Sequence, residues 1–511
     1  MTPVGPVAVA VDLGTGGPKV GLVGLDGTLH WSGFRTVPTE RPGHARAVQD
    51  AELWWAGVRD LVCEGLATSA IAPASVVAIG VTGQWGSTVP VDPDGTPVGM
   101  ARIWQDHSAG RHSRDVVGGP VLGYHPARLA SWLRRTAGVP APHGGDPVSH
   151  ILGFLHDEPA VAARTRWFLE PVDFLTMRLT GRATATAASM SGAWLVDVRG
   201  HRTSYDENLL RLAGIDADRL PPLLPPLSVV GTLRPDVADD LGLSSDVAVV
   251  SGMPDTHSAW LGSGRTGEGE LHLAISTSSW ISAAVTKKRT DVIHSVAVMP
   301  GLMPHGYLIA DNHESAGASL SWVRDQGLGT SYEELTAIAA RSPAGSNGVV
   351  FTPWLGGLRS PLDDRDARGG WHNLTHRSTR ADLVRAVLEG VAHQAAWLLT
   401  PVEKFTPHPS SSLRILGGGA RSDLWCQIHA DVLGRRIERV ADPMTAQLRG
   451  VALAAGLAVG RLTWSDVPAL VPVDRAFDPD PARHTAYAAV TAELPRLYAG
   501  QKGVFRRLAR R

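Results

Sequence analysis

Cysteine is scarce in this chain. Cys63 and Cys426 are the two present among 511 residues, each inside a stretch with helical spacing of apolar residues. Two isolated thiols make neither a disulfide framework nor a metal cluster, so a reducing compartment fits. Excess charge of either sign is also missing: the net charge is −1, with no acidic or basic block in the body of the chain. That balance gives no electrostatic reason to expect a nucleic-acid partner. No apolar run reaches the roughly 18–20 residues of a membrane-crossing helix. The first residues, Met1 to Gly17, carry neither a charged leader nor a cleavage pattern. The expectation is a cytoplasmic protein without a membrane partner. Its basic end, Lys502–Arg511, reads as a frayed, solvated terminus.

What the chain does have is 43% apolar residues over 511 positions. That suffices for two cores, because single domains stop growing at about 250–300 residues. Val7–Asp12 and Val20–Leu25 are valine-rich, strand-like runs, and Asp26-Gly27 closes the second with a hairpin signal. Asp50 caps a helix in which Leu53, Trp54, Val58, Leu61, Val62 and Leu66 recur at helical spacing. Val76–Val81 is a buried-type strand, so strands give way to helices as in an α/β domain. The theme restarts later. Val247–Val250 and Leu271–Ile275 are apolar strands, Leu413–Leu416 ends in three glycines, and helices are expected over Glu314–Asp325, Arg380–Leu399 and Ser422–Leu433. The division is expected near residue 256, giving segments 1–256 and 257–490 and a basic tail, 491–511.

Four clusters carry chemistry. Asp12-Leu13-Gly14-Thr15-Gly16-Gly17-Pro18-Lys19 joins a carboxylate suited to hydrated Mg²⁺ to a Gly-rich turn whose backbone, with Thr15 and Lys19, can approach phosphate. The same pattern also serves as an ordinary hairpin. Asp255 leaves a buried strand where a carboxylate can take a proton from a hydroxyl attacking phosphorus. An N-cap role is the commoner one for aspartate at such a place. His257 reads as a core or cap histidine. Leu416-Gly417-Gly418-Gly419 opens a helix and lets a ring or phosphate lie against bare backbone. Gln84-Trp85-Gly86 and Trp104-Gln105-Asp106 pair aromatic faces with amide and carboxylate groups, as sugar sites do, although core tryptophans would look the same.

Taken in order, these pieces resemble the FGGY carbohydrate kinases, which include xylulokinases and glycerol kinases. The most specific part is Gly369-Gly370-Trp371-His372-Asn373-Leu374, a spacer, then Asp382 to Glu389, with Asn373 where glycine is usual. Phe351 to Pro361 looks like the family's segment leading into it, and Tyr124-His125-Pro126 through Trp132 resembles the N-terminal signature without its lysine. The resemblance implies two actin-like (ribonuclease H-like) domains of α/β class with ATP and sugar in the cleft between them. It implies Asp12 for Mg²⁺, and Thr15, Gly16 and Lys19 for phosphates. It implies Asp255 as general base and Thr277 on the transferred phosphoryl group. Gly317 and Ser321 would lie beside the nucleotide, and Gly418, Gly419 and Asp423 would frame the adenosine. Gln84, Trp85, Trp104, Asp106 and Thr256 would line the sugar.

The departures fall where the sugar is selected. Trp85-Gly86 stands where xylulokinases carry Met-His and glycerol kinases Arg-Glu, and Thr256 replaces their Asn or Gln. The first turn has Gly16-Gly17 in place of a hydroxyl pair, and the second reads Ser276-Thr277-Ser278-Ser279, without its usual glycines. Exchanging a histidine donor for an indole implies fewer hydrogen bonds and more stacking. The expected activity is ATP-dependent phosphorylation of a small sugar, foremost a ketopentose such as xylulose. The alternatives are another ketose or a polyol, or a pseudokinase that binds without transfer. A homodimer is the one protein partner considered.

Overall fold

The computed structural model describes residues 5–43, 45–121, 123–201 and 204–509. The N-terminal half is built on β1 (Val7–Gly14), β2 (Gly17–Gly24), β3 (Leu29–Phe34), α1 (Ala51–Thr68), β4 (Val76–Gly83), α2 (Pro171–Thr180), β5 (Val229–Thr232), β6 (Ala248–Val250), β7 (Met253–Pro254) and α3 (Asp255–Ser263). Its sheet runs β5-β6-β4-β1-β2-β3, with the short β7 continuing beside the end of β4. β1 and β2 are an antiparallel hairpin, while β4 lies parallel to both β1 and β6.

Alternation along β1 sets what covers each face. Val7, Val9, Val11 and Leu13 pack with Trp54, Trp55, Val58, Leu61 and Val62 of α1. Ala8 and Ala10 point the other way, where small residues admit a helix from the far end of the chain. That helix is Ala446–Ala458. Leu53 is 44% exposed, because it lies beside, not on, the stripe formed by Trp54, Val58, Leu61 and Val62.

The C-terminal half contains β8 (His272–Ile275), β9 (Ser279–Ser282), α4 (Gly317–Val323), α5 (Arg380–Glu403), β10 (Ser412–Leu416), α6 (Asp423–Leu433), β11 (Arg436–Val440), α7 (Ala446–Ala458), β12 (Val473–Phe477) and α8 (Leu494–Ala509). Its sheet runs β9-β8-β10-β11-β12. The theme of the first sheet returns: β8 and β9 are an antiparallel hairpin, and β8 lies parallel to β10. The long α5 starts at a capping box in which Thr379 and Asp382 satisfy each other's backbone N–H. Asn373 takes φ 59°, a left-handed conformation that asparagine tolerates better than other side chains after glycine. This explains how it fills a position where glycine is usual.

The halves meet through α3 and α7. A Cβ on Gly450 would come within 1.9 Å of Ser258 O, and one on Gly262 within 1.9 Å of Ala446 O. The crossing is therefore backbone against backbone, and α7 then reaches the alanine face of β1. The basic end is not frayed over the described residues. It forms α8, whose Phe505 is buried on Trp354. An amphipathic 16-residue helix ending in exposed arginines reads as a charged tail when only its charges are counted. Residues 510 and 511 lie outside the described residues.

Candidate active site

Asp255 is carried to its place by β7, which pairs with the last residues of β4 through Met253↔Thr82 and Pro254↔Gly83. Thr82 Oγ1 lies 3.0 Å from Met253 O and 3.0 Å from Ser258 Oγ, tying the strand end to the first turn of α3. Asp255 is the first residue of α3, with Pro254 at the N-cap position. Asp255 is half-buried. Burial, then the charge of Asp12, pushes its carboxyl up to about 7, against the opposing bonds from Thr256. Thr256 Oγ1 donates to Asp255 Oδ1 at 3.3 Å. Asp12, near the end of β1, is raised by its own burial, with Lys19 opposite it across the hairpin acting the other way. Mg²⁺ takes few protein carboxylates and keeps its waters, so the buried carboxylate of Asp12 fits it.

The first turn is tight. Gly14 pairs with Gly17, leaving Thr15 and Gly16 at its tip. Gly17 has φ 129°, and a Cβ there would come within 2.1 Å of Arg35 O. Gly16 is exposed, while Thr15 and Lys19 are half-buried. The turn is held from behind by Gln49, a fully buried residue that sequence reasoning missed. Its Nε2 donates to Thr15 O at 2.7 Å and Thr39 Oγ1 at 2.8 Å, and its Oε1 accepts from Trp54 Nε1 at 2.9 Å.

The loop after β4, which starts where Gly83 pairs with Pro254, carries Gln84 and Trp85. Gln84 is nearly buried, with long contacts of 3.5 Å to Gln49 Oε1 and 3.4 Å to Ser87 Oγ. Trp85 is half-buried and donates its Nε1–H to Ser189 O at 2.9 Å. Trp104 donates Nε1–H to Thr15 Oγ1 at 3.0 Å, joining the expected sugar side to the expected phosphate turn. Asp106 is turned inward and is fully enclosed. Its Oδ2 accepts from Ala47 N at 2.9 Å and its Oδ1 from Ser108 N at 3.0 Å. Under this loop lies Glu170, which sequence reasoning also missed. Its carboxylate accepts the N–H groups of Gly86 at 3.2 Å and Ser87 at 3.2 Å. Burial, helped by Asp173, holds the Glu170 carboxyl well above the usual range.

In the C-terminal half two turns emerge side by side, because Ala274 of β8 pairs with Leu416 of β10. Thr277 is exposed at the tip of the first, and its carbonyl accepts the N–H groups of Ala316 and Ala318, each at 3.0 Å. Gly317 donates to Ser276 O at 2.9 Å, and a Cβ on Gly317 would come within 2.3 Å of that oxygen. Glycine is therefore needed there for α4 to reach the turn. Ser321, one turn further along α4, contacts Tyr332 OH at 2.9 Å. In the second turn Gly418 is open on its outer side, whereas Gly419 lies against Ile275. Asp423, at the start of α6, is exposed and ion-paired to Arg439 at 2.6 Å and to Arg475. His257 is a core histidine, with Nε2 2.8 Å from Pro300 O.

Loops from the two halves approach each other near the Trp104 loop. His107 is held below its usual pKa by burial and then by Arg365, with Arg359 also contributing. Arg365 pairs with Glu314 at 2.8 Å. His143 lies 3.1 Å from His107 through their Nδ1 atoms.

Comparison with known proteins places both halves of the chain in one family. Residues 7–262 match the N-terminal domain of the FGGY family of carbohydrate kinases, and residues 269–459 match its C-terminal domain. A xylulose kinase of Staphylococcus epidermidis is 28% identical over 94% of each chain. A glycerol kinase of Dechloromonas aromatica is 30% identical over 93% of each. The solved structure of a xylulose kinase from Lactobacillus acidophilus superposes with a TM-score of 0.87 at 20% identity, covering 98% of this chain and 100% of that one. This chain belongs to the FGGY family of carbohydrate kinases and has its two-domain α/β fold.

Proposed function

We propose that the chain transfers the γ-phosphoryl group of ATP to a hydroxyl of a small sugar, with a ketopentose such as xylulose as first candidate. The observation that supports this most is Asp255, a half-buried carboxylate at the start of α3 whose carboxyl is pushed up to about 7 by burial and by Asp12. A base is most useful when its pKa lies near the working pH. Asp255 takes the proton of the substrate hydroxyl as that oxygen bonds to phosphorus, and the bond from phosphorus to the β,γ-bridging oxygen breaks to release ADP. Asp12 would hold Mg²⁺, which when bound neutralises phosphate charge, and Asp255 keeps its carboxylate for the proton.

In this reading Thr15, Gly16 and Lys19 meet the phosphates from one side and Thr277 from the other. Gly317, Ser321, Gly418, Gly419 and Asp423 line the nucleotide. Gln84, Trp85, Trp104 and Thr256 line the sugar, and Asp106 acts from behind by fixing the Trp104 loop. Relatives named glycerol kinase keep a polyol as the runner-up acceptor.

The test is ADP release from Mg-ATP against ketopentoses, ketohexoses, aldoses, pentitols and glycerol. One strong responder is expected, lost by roughly 10²-fold or more in Asp255→Asn, as removal of a general base implies. Full turnover in that variant would exclude the assignment. Nucleotide binding without any responder would favour the pseudokinase.

A further inference from the structure

The loop after β4 starts beside Asp255, because Gly83 pairs with Pro254, and Trp85 to Ser87 in it leave few hydrogen-bonding groups for a substrate. Trp85 sends its Nε1–H inward to Ser189 O at 2.9 Å. The N–H groups of Gly86 and Ser87 go to Glu170, and the Trp104 Nε1–H goes to Thr15 Oγ1. What Trp85 retains is its apolar ring. A second indole stands against it: Trp194, with ring centroids 6.2 Å apart and planes at 73°. Both residues are half-buried.

Several features of the fold converge on this pair. Trp194 has φ 55° and ψ 22°, a region bulky residues rarely adopt. Trp132 Nε1–H holds it there by donating to Trp194 O at 2.9 Å. Beneath each ring lies a glycine. A Cβ on Gly138 would come within 2.9 Å of the Trp194 ring, and one on Gly192 within 2.9 Å of the Trp85 ring. A strained backbone, a hydrogen bond across 62 residues and two bare glycines thus serve one pair of rings.

We propose that Trp85 and Trp194 form a paired indole wall that selects a substrate with an unhydroxylated face, a deoxy or methyl-bearing sugar or polyol, over its fully hydroxylated counterpart. The proposal rests on the sugar-kinase reading above. The Trp194 Nε1–H is itself buried, so a hydroxyl pressed against the ring faces gives up its water and finds no partner there, whereas a C–H or methyl group gains by leaving water. An apolar surface rejects an added hydroxyl by at most about 10²-fold, which sets the size of the expected preference.

The test measures calorimetric binding and Mg-ATP turnover for matched pairs: glycerol and propane-1,2-diol, a ketopentose and its 1-deoxy analogue, a ketohexose and its 6-deoxy analogue. The proteins are the wild type, Trp194→Phe and Trp194→Gly, the last removing the ring where glycine adopts the backbone freely. In at least one pair the deoxy member should bind about 10–100-fold more tightly. Trp194→Phe should keep that preference, and Trp194→Gly should shrink it to within about 3-fold by removing half the wall. Tighter binding of the hydroxylated member in every pair, no binding by any member, or equal weakening of both members in Trp194→Gly would each overturn the wall. A deoxy preference in binding without ADP release would uphold the wall and overturn the kinase reading.

Discussion

Asp255→Asn should remove turnover and, above neutral pH, make the chain more stable. The Asp255 carboxyl titrates at about 7 in the folded protein, against about 3.9 in an unfolded chain. A raised folded-state pKa means that the group's contribution is complete below about pH 4 and is lost as pH rises through 7. The shift of about 3 units is worth about 4 kcal/mol over the whole range. About 2 of those units, or about 2.7 kcal/mol, are lost between pH 5 and pH 8. Because Asp255 is half-buried, water on its open side reduces the figure to about 1–2.7 kcal/mol. Asparagine has the same shape and does not ionise, so it carries none of this loss. Urea midpoints of both proteins in EDTA, without nucleotide, should therefore diverge between pH 5 and pH 8 in favour of the variant. A difference that stays constant with pH would refute the account. Asp12→Asn in the same series removes the second cause of the shift and should reduce the divergence, leaving the part due to burial.

Three further outcomes follow from the packing. Gly450→Ala places a Cβ within 1.9 Å of Ser258 O, and the α3–α7 crossing should lose about 3 kcal/mol or more, read as a lowered thermal midpoint. Phe505→Ala should cost about 2–4 kcal/mol in urea unfolding, because Phe505 is buried on Trp354 and is not part of a loose tail. His272, His313 and His393 are held at about 3, and His257 and His429 at about 4, each first by burial. A depressed histidine costs nothing above about pH 6.5 and destabilises as pH falls, by about 1.4 kcal/mol per unit and residue. Stability should therefore fall steeply from pH 6.5 to pH 4, and a flat urea midpoint over that window would contradict the burial of these rings.

The strands were legible because their signal is local. Val7–Asp12 reads as a strand from its valines alone, and the structure extends it only to Gly14. What single-sequence reading does not supply is the partner of each face. Ala8 and Ala10 look like filler between valines, yet their small size is what admits α7 from more than 400 positions away. The tail failed for a related reason. Lys502, Arg506 and Arg507 advertise solvent, while Phe505 has a meaning only once Trp354 is placed beside it.

At the candidate site, the residues proposed to carry chemistry stand out in the sequence, and those that position them do not. Asp12 and Asp255 each stand at a strand end, and the structure brings their charges close enough to act on each other. Gln49, Glu170 and Trp194 have no motif. Each works through an atom far along the chain: Glu170 on the N–H groups of Gly86 and Ser87, Gln49 on the carbonyl of Thr15, Trp194 on the ring of Trp85. This bears on how substrate choice is read in such a chain. Comparing residues 84–86 with a relative asks which side chains face the sugar, but Glu170 decides where that loop lies, and Gly192 decides how closely the Trp85 ring can lean back. Glu170→Gln retains an acceptor at one oxygen and should keep the loop in place with a modest rise in KM. Glu170→Ala leaves two N–H groups without their partner, a loss of about 1–3 kcal/mol for a buried donor. If the loop is what selects the sugar, Glu170→Ala should raise KM for the preferred substrate more than it lowers kcat, and more than it raises KM for ATP. Equal loss in all three would mean that Glu170 supports the fold and not the choice of substrate.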